Sequence, residues 1–441
     1  MTAPSMLDPG RDVIVVGLGF GDEGKGATVD WLCAQGDVAS VVRFNGGAQA
    51  AHNVVAEGVH HTFRQFGSGT LAGTPTYLAS TMLVEPIRLA DEAENLARLG
   101  VSDPLSLLTV HPDALLTTPV HAAANRTRED ARGAGRHGSC GLGIGETTWY
   151  DLATKAGVRA GQLLENFAAP SAAADLAVRV RDCLDERVLT RKLDALAAFY
   201  RPLLETGVHA HPEVARLVEV YKEFARAIRV ADEGHLAAVA DGQRLVFEGA
   251  QGVLLDELRG LHPYTTWTRT TPTHARTIGR SIGRTAEVLG VLRTYQTRHG
   301  AGPLAGEDGS LRSRRPERHN DTGVYQGQWR VGPLDPVALR YAVEVSHGVD
   351  GLALTHLDLT DGADYISGYR YAGHRVDRLP SGPGLDHQQR LANVVAGSEV
   401  TLAPLPSEPA AVVNAVSRII GAPVLLTADG PDRKNRRPST I

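Results

Sequence analysis

Short apolar runs, each followed by a loop of small or polar residues, recur along the chain. Residues 13–16 read Val-Ile-Val-Val, an uninterrupted apolar run that is typical of a buried strand in a parallel sheet. Similar units of strand and loop occupy residues 38–52, 245–256, 351–358 and 424–432. Helical spacing over residues 85–99, 176–200 and 214–239 predicts amphipathic helices, of which the last two are expected to carry no chemistry. Residues 125–137 are rich in charge and glycine, which predicts a mobile surface loop.

This alternation of strands and helices predicts the fold class. Strand–loop units separated by helices are typical of an α/β protein with a large, mostly parallel central sheet flanked by helices, similar to that of P-loop NTPases. No internal repeat or low-complexity linker divides the chain, so residues 11–441 are expected to form a single domain. Residues 1–10 contain two prolines and are expected to be a flexible N-terminal arm.

Composition excludes several classes of function. The 45 Lys and Arg residues against 50 Asp and Glu give a net charge of −5, so the chain lacks the basic surface of a nucleic-acid-binding protein. Three cysteines, far apart and odd in number, argue against a disulfide framework and fit a reducing compartment. The N-terminus lacks the apolar core of a signal peptide, and no apolar run reaches the roughly 18 residues of a membrane span. We therefore expect a cytoplasmic protein with no membrane partner.

The loop after the first strand carries the candidate chemistry. Residues 17–26 hold five glycines together with Asp22, Glu23 and Lys25, and the stretch that follows can begin a helix. A strand, a glycine loop and a helix N-terminus together can hold phosphate, because free N–H groups converge there. The loop is not a Walker A motif, since Gly26 stands where Ser or Thr is required. A plain strand-to-helix turn is the alternative, but two carboxylates repel phosphate unless a metal ion or a proton transfer requires them.

The motif pattern resembles one family. GDEGKG at residues 21–26, followed by VVRFNGG at residues 41–47 and Ala51-His52, closely resembles adenylosuccinate synthetase, and the likeness extends over residues 12–433. That family joins L-aspartate to C6 of IMP through a 6-phosphoryl intermediate, using GTP and Mg²⁺ and giving adenylosuccinate, GDP and phosphate. The resemblance implies a C–N ligase of purine biosynthesis, which is cytoplasmic, acts on small molecules and works as a homodimer.

The resemblance also implies catalytic roles. The aspartate of GDEGKG, here Asp22, takes the N1 proton of IMP, so that O6 attacks the γ-phosphate of GTP. His52 assists the phosphoryl transfer, and Gln251 of the EGAQG motif acts on the purine nucleotide. A lone histidine is more often a surface or core residue, but the position of His52 in a small-residue loop beside the phosphate cradle favours catalysis.

GTP and Mg²⁺ binding are carried over in the same way. Mg²⁺ is expected on Asp22 and on the carbonyl of Ala51, where the family has glycine. The family's TKLD motif, whose aspartate reads guanine N1 and N2, appears here as Thr-His-Leu-Asp ending at Asp358, which favours GTP over ATP. The segment at residues 429–432 resembles a second base-binding loop. The expected GTP-binding residues are Gly21, Glu23, Gly24, Lys25, Gly26, Ala51, Asn53, His356, Asp358 and Gly430.

The purine-nucleotide positions differ more from the family. The family's GTTGRGIG is GSCGLGIG here, which puts Cys140 where a threonine binds the substrate phosphate, with Ser139 beside it. Cys140 as a nucleophile is the alternative, but no base for it is evident in the sequence. The other expected contacts are Gln251, Thr266 of HPYTT, Gln49 in place of asparagine, and Lys155 in place of an arginine that the neighbouring subunit supplies. Together these changes indicate a substrate that is IMP or close to it.

The aspartate-binding loop departs furthest from the family. GATTGRRRRTGWLD corresponds to HNDTGVYQGQWRVGPLD here, so that Thr322 and Arg330 remain while the other arginines become Tyr325, Gln326, Gln328 and Trp329. Two carboxylates still need cations, and the candidates are Arg330, Arg298 and the arginines at 312–318. A surface arginine at a loop edge is the alternative for Arg330. Divergent relatives such as phage enzymes that act on dGMP show similar departures, whereas the Asp22 motif resembles the ordinary enzyme.

Three hypotheses follow. The first is an aspartate ligase that acts on IMP or a close 6-oxopurine nucleotide. The second is a ligase of the same mechanism with a different purine nucleotide, such as dGMP, or a different amine donor. The altered loop at 325–330 favours this second hypothesis. The third is a GTP-binding relative that has lost catalysis. The presence of Asp22, Lys25, His52, Gln251 and Asp358 argues against it, because decay is expected to reach such positions first.

Overall fold

The structure is a computed structural model that describes residues 10–154, 175–315, 317 and 324–439. These residues form a central sheet with helices around it. Residues 1–9 of the predicted flexible arm lie outside this range. The strands are β1 (Asp12–Gly17), β2 (Val38–Arg43), β3 (His52–Ala56), β4 (Val59–Phe63), β5 (Thr76–Leu78), β6 (Leu83–Val84), β7 (Leu108–Val110), β8 (Leu115–Leu116), β9 (Arg229–Val230), β10 (Arg244–Gly252), β11 (Ala286–Arg293), β12 (Tyr295–His299), β13 (Trp329–Pro333), β14 (Gly351–Thr355), β15 (Asp364–Tyr371), β16 (His374–Val376), β17 (Glu399–Pro404), β18 (Val424–Ala428) and β19 (Arg436–Pro438).

Helices connect these strands and cover both faces of the sheet. None of the described helices is long and apolar enough to cross a membrane. They are α1 (Lys25–Ala34), α2 (Pro86–Arg98), α3 (Pro119–Arg132), α4 (Ile144–Thr154), α5 (Glu186–Leu204), α6 (Val214–Ala227), α7 (Glu233–Val239), α8 (Thr273–Ser281), α9 (Gly309–Arg314), α10 (Pro336–Val345), α11 (Leu385–Gly397) and α12 (Pro409–Ile420).

The central sheet has the order β19-β18-β14-β11-β1-β10-β2-β5-β7-β9. Every neighbouring pair is parallel except β18 and β19, which are antiparallel. The prediction of an α/β domain with a large, mostly parallel sheet is therefore confirmed. A separate antiparallel unit consists of β15, β16 and β17, and β12 pairs with β13 as a short antiparallel ribbon.

Strand β1 lies at the centre of the sheet, and both of its faces are buried. Ile14 and Val16 belong to one core cluster, which includes Val337 and Tyr341 of α10. Val13 and Val15 point to the opposite face, into a second cluster that includes Val29 and Leu32 of α1. Successive side chains of a strand alternate between faces, so an apolar run without alternation requires cover on both sides.

The parallel strands bring their carboxyl ends to one edge of the sheet. The loops after β1, β2, β10, β14 and β18 therefore gather there, as loops do where ligands bind in open α/β sheets. These are the same loops in which the sequence places the candidate site residues. The order of the strands in the sheet, rather than their order along the chain, makes these loops neighbours.

One prediction about secondary structure is wrong, and others need new boundaries. Residues 125–132 are not a surface loop but the second half of α3, whose N-terminus has a capping box formed by Thr118 and His121. Polar residues on its inner face are buried and bonded: Asn125 to Ser139, and Thr127 to the carbonyl of Ala123. The helix predicted at 176–200 begins at Glu186 as α5, and the one at 214–239 is divided into α6, β9 and α7. The helix at 85–99 is confirmed as α2.

Candidate active site

The glycine loop between β1 and α1 has a backbone that few side chains tolerate. Gly21 and Gly24 have φ of +98° and +96°, and Asp22 itself lies at +61°. A methyl group at Gly26 would lie 2.5 Å from Cβ of His52, so this glycine allows β3 to approach the first turn of α1. The loop therefore places Asp22 in a strained left-handed conformation at the carboxyl edge of the sheet.

Glu23 organises the inside of this loop. Its carboxylate accepts hydrogen bonds from the backbone N–H groups of Gly19 (3.0 Å) and Gly21 (2.8 Å) and from Nζ of Lys25 (2.6 Å). Both side chains of the Glu23–Lys25 ion pair are buried. The N–H groups that would face a phosphate are thus partly engaged by the chain's own carboxylate. Lys25 reaches a nucleotide phosphate only if it shares or releases this bond.

Asp22 is held from two sides by residues distant in sequence. Nε2 of His299, the last residue of β12, lies 3.1 Å from Oδ2 of Asp22. Nε of Arg293 donates to the backbone carbonyl of Asp22. Burial opposes ionisation of the carboxyl group, but the bond from His299 and the charges of Arg293 and Lys25 outweigh it and lower the pKa of Asp22 below its ordinary value. Asp22 is therefore an ionised carboxylate that is oriented by its neighbours.

His52 is buried beside the glycine loop and is held by Glu248. Its Nδ1 lies 2.6 Å from Oε1 of Glu248, and the other oxygen of Glu248 accepts from the backbone N–H of Ser68 at 2.9 Å. Burial lowers the pKa of His52 more than Glu248 raises it, so the ring is neutral at pH 7. Burial would raise the pKa of Glu248, but Arg43 and His52 hold it at about 2. The pair is thus a carboxylate that fixes the orientation of a neutral imidazole.

Two glutamines face the same space next to the glycine loop. Both amide atoms of Gln49 and Oε1 of Gln251 are buried without a hydrogen-bond partner within the part of the chain that the structure describes. A methyl group at Gly46 would lie 3.4 Å from Nε2 of Gln49 and 3.5 Å from Oε1 of Gln251. Gln251 also packs against Gly21 of the loop. Because buried amides are normally paired, these two indicate where a polar ligand binds.

The loop at 138–143 brings the expected phosphate contacts into a bonded network. Oγ of Ser139 accepts from Nδ2 of Asn125 at 3.0 Å, and the N–H of Gly143 donates to Oδ1 of Asn125. Cys140 is half-buried, and burial raises the pKa of its thiol, which disfavours the thiolate that nucleophilic attack would need. The N–H of Thr266 donates to the carbonyl of Leu255. Lys155 lies outside the described residues.

The expected base-binding residues lie at the ends of β14 and β18. Asp358 is exposed on the turn after β14, whereas the ring of His356 is turned inward, 3.7 Å from Glu317 and edge-on to Tyr295. Burial and the charge of Arg293 lower the pKa of His356 to about 4. Gly430 packs against Asn435. Asp358 is therefore at an open position, whereas His356 is directed into the protein.

Asn53 and Ala51 lie at the start of β3. Oδ1 of Asn53 accepts from Oγ1 of Thr62 at 2.7 Å and lies 3.0 Å from Nε2 of His60, so its side chain is part of the β3–β4 hairpin. Ala51 is exposed next to His52. Its backbone is thus available for an external ligand at this edge of the sheet.

Two of the arginines expected to bind the amine donor, Arg330 and Arg298, are engaged within the protein. Arg330 forms a two-pronged ion pair with Glu307 and donates to the carbonyls of Gly300 and Gly302. Arg298 is buried, donates to the carbonyls of Ala301, Pro303 and Tyr264, and stacks on Phe20. Trp329 is buried in a small core with Tyr295 and Val331. Thr322 and Arg318 lie outside the described residues.

The residues at Asp22 fit a metal ion that is shared with a substrate. No group of three or more acidic, histidine or cysteine side chains within the described residues could hold a metal by itself. Asp22 is nevertheless ionised, and its side chain is 24% exposed. Mg²⁺ is typically held by one or two carboxylates and by the phosphates of its nucleotide, so a single carboxylate beside a phosphate-binding loop fits this ion.

Three residues that contact the candidate site residues were not predicted from the sequence: Glu248, His299 and Arg293. Glu248 is part of the EGAQG motif, so its position next to Gln251 was a signal for a site residue. His299 and Arg293 carried no such signal, because each lies at the end of a strand whose contact with Asp22 depends on the order of the sheet.

Comparisons with known proteins identify the family of the chain. A family profile for adenylosuccinate synthetase matches residues 14–437. The chain is 34% identical to an adenylosuccinate synthetase of Paraburkholderia phymatum, over 97% of this chain and 96% of that one. It is 33% identical to one of an Anaeromyxobacter species, over 96% and 97% of the two chains.

Two solved structures share the fold. A fully ligated adenylosuccinate synthetase from Plasmodium falciparum superimposes with a TM-score of 0.77 at 19% identity, covering 98% of this chain and 100% of that one. The succinoaminodeoxyadenylate synthetase of cyanophage S-2L, bound to dGMP and dATP, gives a TM-score of 0.57 at 15% identity, covering 98% and 96%. The profile match and the identity over almost the full length show that the chain belongs to the adenylosuccinate synthetase family, a family of ligases that use GTP and Mg²⁺.

Proposed function

We propose that the chain joins L-aspartate to C6 of a 6-oxopurine nucleotide, which is IMP or a close analogue, with GTP as phosphoryl donor. The observation that carries this proposal is the ionised Asp22, oriented by His299 near buried amide atoms of Gln49 and Gln251 that have no hydrogen-bond partner among the described residues. A base and unpaired amides together suit a ligand that offers both a proton and polar edges, as a 6-oxopurine does. The products are an adenylosuccinate-type nucleotide, GDP and phosphate.

The first step is phosphorylation of the purine oxygen. Asp22 accepts the N1 proton, and the electron pair moves to O6, which attacks the γ-phosphorus of GTP while GDP leaves. The buried amides of Gln49 and Gln251 are proposed to hold the purine nucleotide, with Ser139, Cys140 and Thr266 at its phosphate. Nδ1 of His52 is fixed by Glu248, and the ring is proposed to take up a proton when the phosphates bind, so that Nε2–H can donate to the transferring phosphoryl group.

The second step is displacement of phosphate from C6. The amino group of L-aspartate attacks C6, the C–O bond breaks, and phosphate leaves with the electron pair while the amine loses a proton. Phosphorylation makes this possible, because an oxo group is a poor leaving group and phosphate is a good one. Arg330 and Thr322 are proposed to bind the donor's carboxylates, which requires Arg330 to exchange Glu307 for the donor.

The nucleotide donor and the metal complete the proposed site. Residues Gly21, Glu23, Gly24, Lys25 and Gly26 are proposed to hold the GTP phosphates, and Asp358 with Gly430 the guanine, with Ala51, Asn53 and His356 nearby. Asp22 and the carbonyl of Ala51 would hold Mg²⁺, which when bound offsets the negative charge of the phosphates. A homodimer is proposed as well, since Lys155 would then act on the neighbouring subunit's substrate.

A second candidate is a ligase with a different amine donor or purine. The observation in its favour is the loop at 324–330, where Tyr325 packs its ring against Gly141 and where Arg330 is paired within the protein. The phage enzyme that shares the fold is bound to dGMP in its structure, so a protein of this fold can bind a 6-oxopurine nucleotide other than IMP.

The experiment is a substrate panel. Purified protein is incubated with GTP, Mg²⁺ and L-aspartate against IMP, dGMP, GMP and XMP, and both the coupled product and phosphate are measured. Phosphate and adduct in equal amounts with one of these nucleotides support the proposal and identify the purine. Phosphate without adduct points to a different amine donor, and no reaction with any nucleotide would contradict a ligase of this kind.

A further inference from the structure

An open cleft lies beside the proposed nucleotide site, between α3, the loop at 138–143 and the turn at 324–328. Its volume is about 330 Å³, and its lining is Arg126, Cys140, His209, Val324, Tyr325 and Gln326. Apart from Cys140, none of these residues has a part in the proposed function above. The cleft joins the residues of α3 to those of the loop that differs most from the family.

Arg126 is the cation of this cleft that can bind a ligand. Its Nε donates to the carbonyl of Gly141 at 2.9 Å, which fixes the guanidinium plane. Within the described part of the chain its two terminal NH₂ groups have no protein partner. The carboxylates on the same helix are engaged elsewhere: Glu129 pairs with Arg132, and Asp130 with Arg136 and His209. A half-buried arginine with a fixed plane and available donors is suited to bind an oxyanion through two parallel hydrogen bonds.

The acidic group beside the cleft, Asp130, is already paired with Arg136 and His209. The guanidinium of Arg136 lies 5.6 Å from the centre of the Tyr325 ring, and the hydroxyl of Tyr325 lies 3.3 Å from Nε2 of His209. Oδ2 of Asp130 lies 2.6 Å from the same nitrogen of His209, so that carboxylate is directed to the histidine. The cleft therefore presents the guanidinium of Arg126 together with hydroxyl, amide and thiol groups, and this combination suits a small oxyanion.

The cleft is next to the proposed catalytic centre. A methyl group at Gly138 would lie 3.3 Å from the N atom of Ala301, and one at Gly300 would lie 2.0 Å from the carbonyl oxygen of Gln326. Gly300 directly follows His299, which bonds to Asp22. The turn that begins at Gly300 therefore connects the cleft to His299, the residue that orients Asp22.

We infer that Arg126 binds an oxyanion of a substrate in this cleft, and the inference rests on the proposed ligase function. The chemistry required is that of a carboxylate or a phosphate. Its two sources are a carboxylate of the amine donor and the 5′-phosphate of the purine nucleotide. The substrates offer more oxyanions than Arg330 alone can bind, and Arg298 already directs its donors to three carbonyl groups, so a further cation such as Arg126 is needed.

The test compares Arg126→Gln and Arg126→Lys with Arg98→Gln, a control at an exposed helix arginine whose partner is Glu94. The KM for L-aspartate, for the purine nucleotide and for GTP is measured for each protein. Arg126→Gln is expected to raise one of the first two at least tenfold and to leave the KM for GTP within twofold, with Arg126→Lys between it and the wild type. A rise for L-aspartate identifies the carboxylate, and a rise for the nucleotide identifies the phosphate. Changes below twofold in both would overturn the inference.

A second measurement separates this inference from the proposed function. Stabilisation of the folded protein by succinate and by inorganic phosphate is measured from melting temperatures, which also show whether each variant is folded. Should the wild type lack ligase activity, the proposed function fails, but Arg126-dependent stabilisation by either anion would still support the oxyanion site. If Arg126→Gln responds to both anions as the wild type does, the inference is overturned whatever the activity.

Discussion

The imidazole of His299 and the carboxylate of Asp22 are in contact, with Nε2 of one 3.1 Å from Oδ2 of the other. Because His299 holds one of the two carboxylate oxygens, the plane of the whole carboxylate is set by this bond. The contact joins the end of β12 to the glycine loop and fixes the direction in which Asp22 can accept a proton. His299 is thus a positioning residue for Asp22.

Replacement of His299 tests this contact. His299→Leu removes the N–H donor and is expected to lower kcat about tenfold, the effect of losing one charge-assisted hydrogen bond of about 1.5 kcal/mol. His299→Gln retains an N–H donor and is expected to recover most of that loss, while the KM for GTP stays unchanged in both. Steady-state kinetics with the productive nucleotide measures this. Equal losses in the two variants would show that His299 acts through packing alone.

Replacement of Asp22 tests the base itself. Asp22→Asn keeps the size and polarity of the side chain but cannot accept a proton, so turnover is expected to fall by about 10²-fold or more, the usual weight of general-base catalysis. GTP binding, measured by equilibrium titration without Mg²⁺, is expected to remain. Near-normal turnover in this variant would rule out Asp22 as the base.

Replacement of Asp358 tests guanine recognition. Asp358→Asn loses the charge-assisted bonds to guanine N1–H and the 2-amino group, and apparent GTP binding is expected to weaken by more than ~1.5 kcal/mol relative to ATP. Asp361→Asn, at an exposed position in the same turn region, is the matched control and is expected to leave the preference unchanged. The measurement is the ratio of kcat/KM for GTP to that for ATP. An unchanged ratio in Asp358→Asn would mean that the base is read elsewhere.

Replacing either partner of the Arg330–Glu307 ion pair is expected to change the KM for L-aspartate, in opposite directions. Arg330→Ala is expected to raise the KM for L-aspartate tenfold or more with little change in that for GTP, because a carboxylate loses its cation. Glu307→Gln weakens the internal ion pair and is expected to lower the KM for L-aspartate, because Arg330 is then more readily available. Normal L-aspartate binding in both variants would make Arg330 a structural residue of the β12–β13 ribbon.

The ionisation of Glu248 is expected to make the free energy of unfolding depend on pH. Its pKa in the folded protein is about 2, below the ordinary 4.5, so its stabilising bonds to His52 and Ser68 are fully present above pH 4.5 and are lost as the pH falls towards 2. Glu248→Gln is expected to be less stable at pH 7 by about 1–3 kcal/mol, and this difference should shrink as the pH falls from 4.5 to 3. Urea unfolding across that range measures it. A constant difference would show that the charge of Glu248 is unimportant.

Local patterns along the chain determined much of the fold. The run at 13–16 predicted the buried strand β1, and the motif at 21–26 identified the family. The glycines at 17–26 predicted a loop before a helix, and that helix, α1, begins two residues earlier than expected, at Lys25. These features are readable because each depends on neighbours in sequence. Composition alone was misleading at 125–132, because the buried polar and charged residues of α3, such as Asn125 and Glu129, find partners in Ser139 and Arg132.

The state of each site residue was decided by the tertiary structure. The sequence pointed to Asp22 and His52, but their carboxylate and imidazole are oriented by His299 and Glu248, which the parallel order of β10, β1 and β11 and the ribbon β12–β13 bring to the same edge. The sequence likewise offered Arg298 and Arg330 as cations for a ligand, whereas packing commits both to internal partners. A sequence pattern records which groups are present. Whether a group is charged, paired or available depends on which distant residues the sheet places within about 3 Å of it.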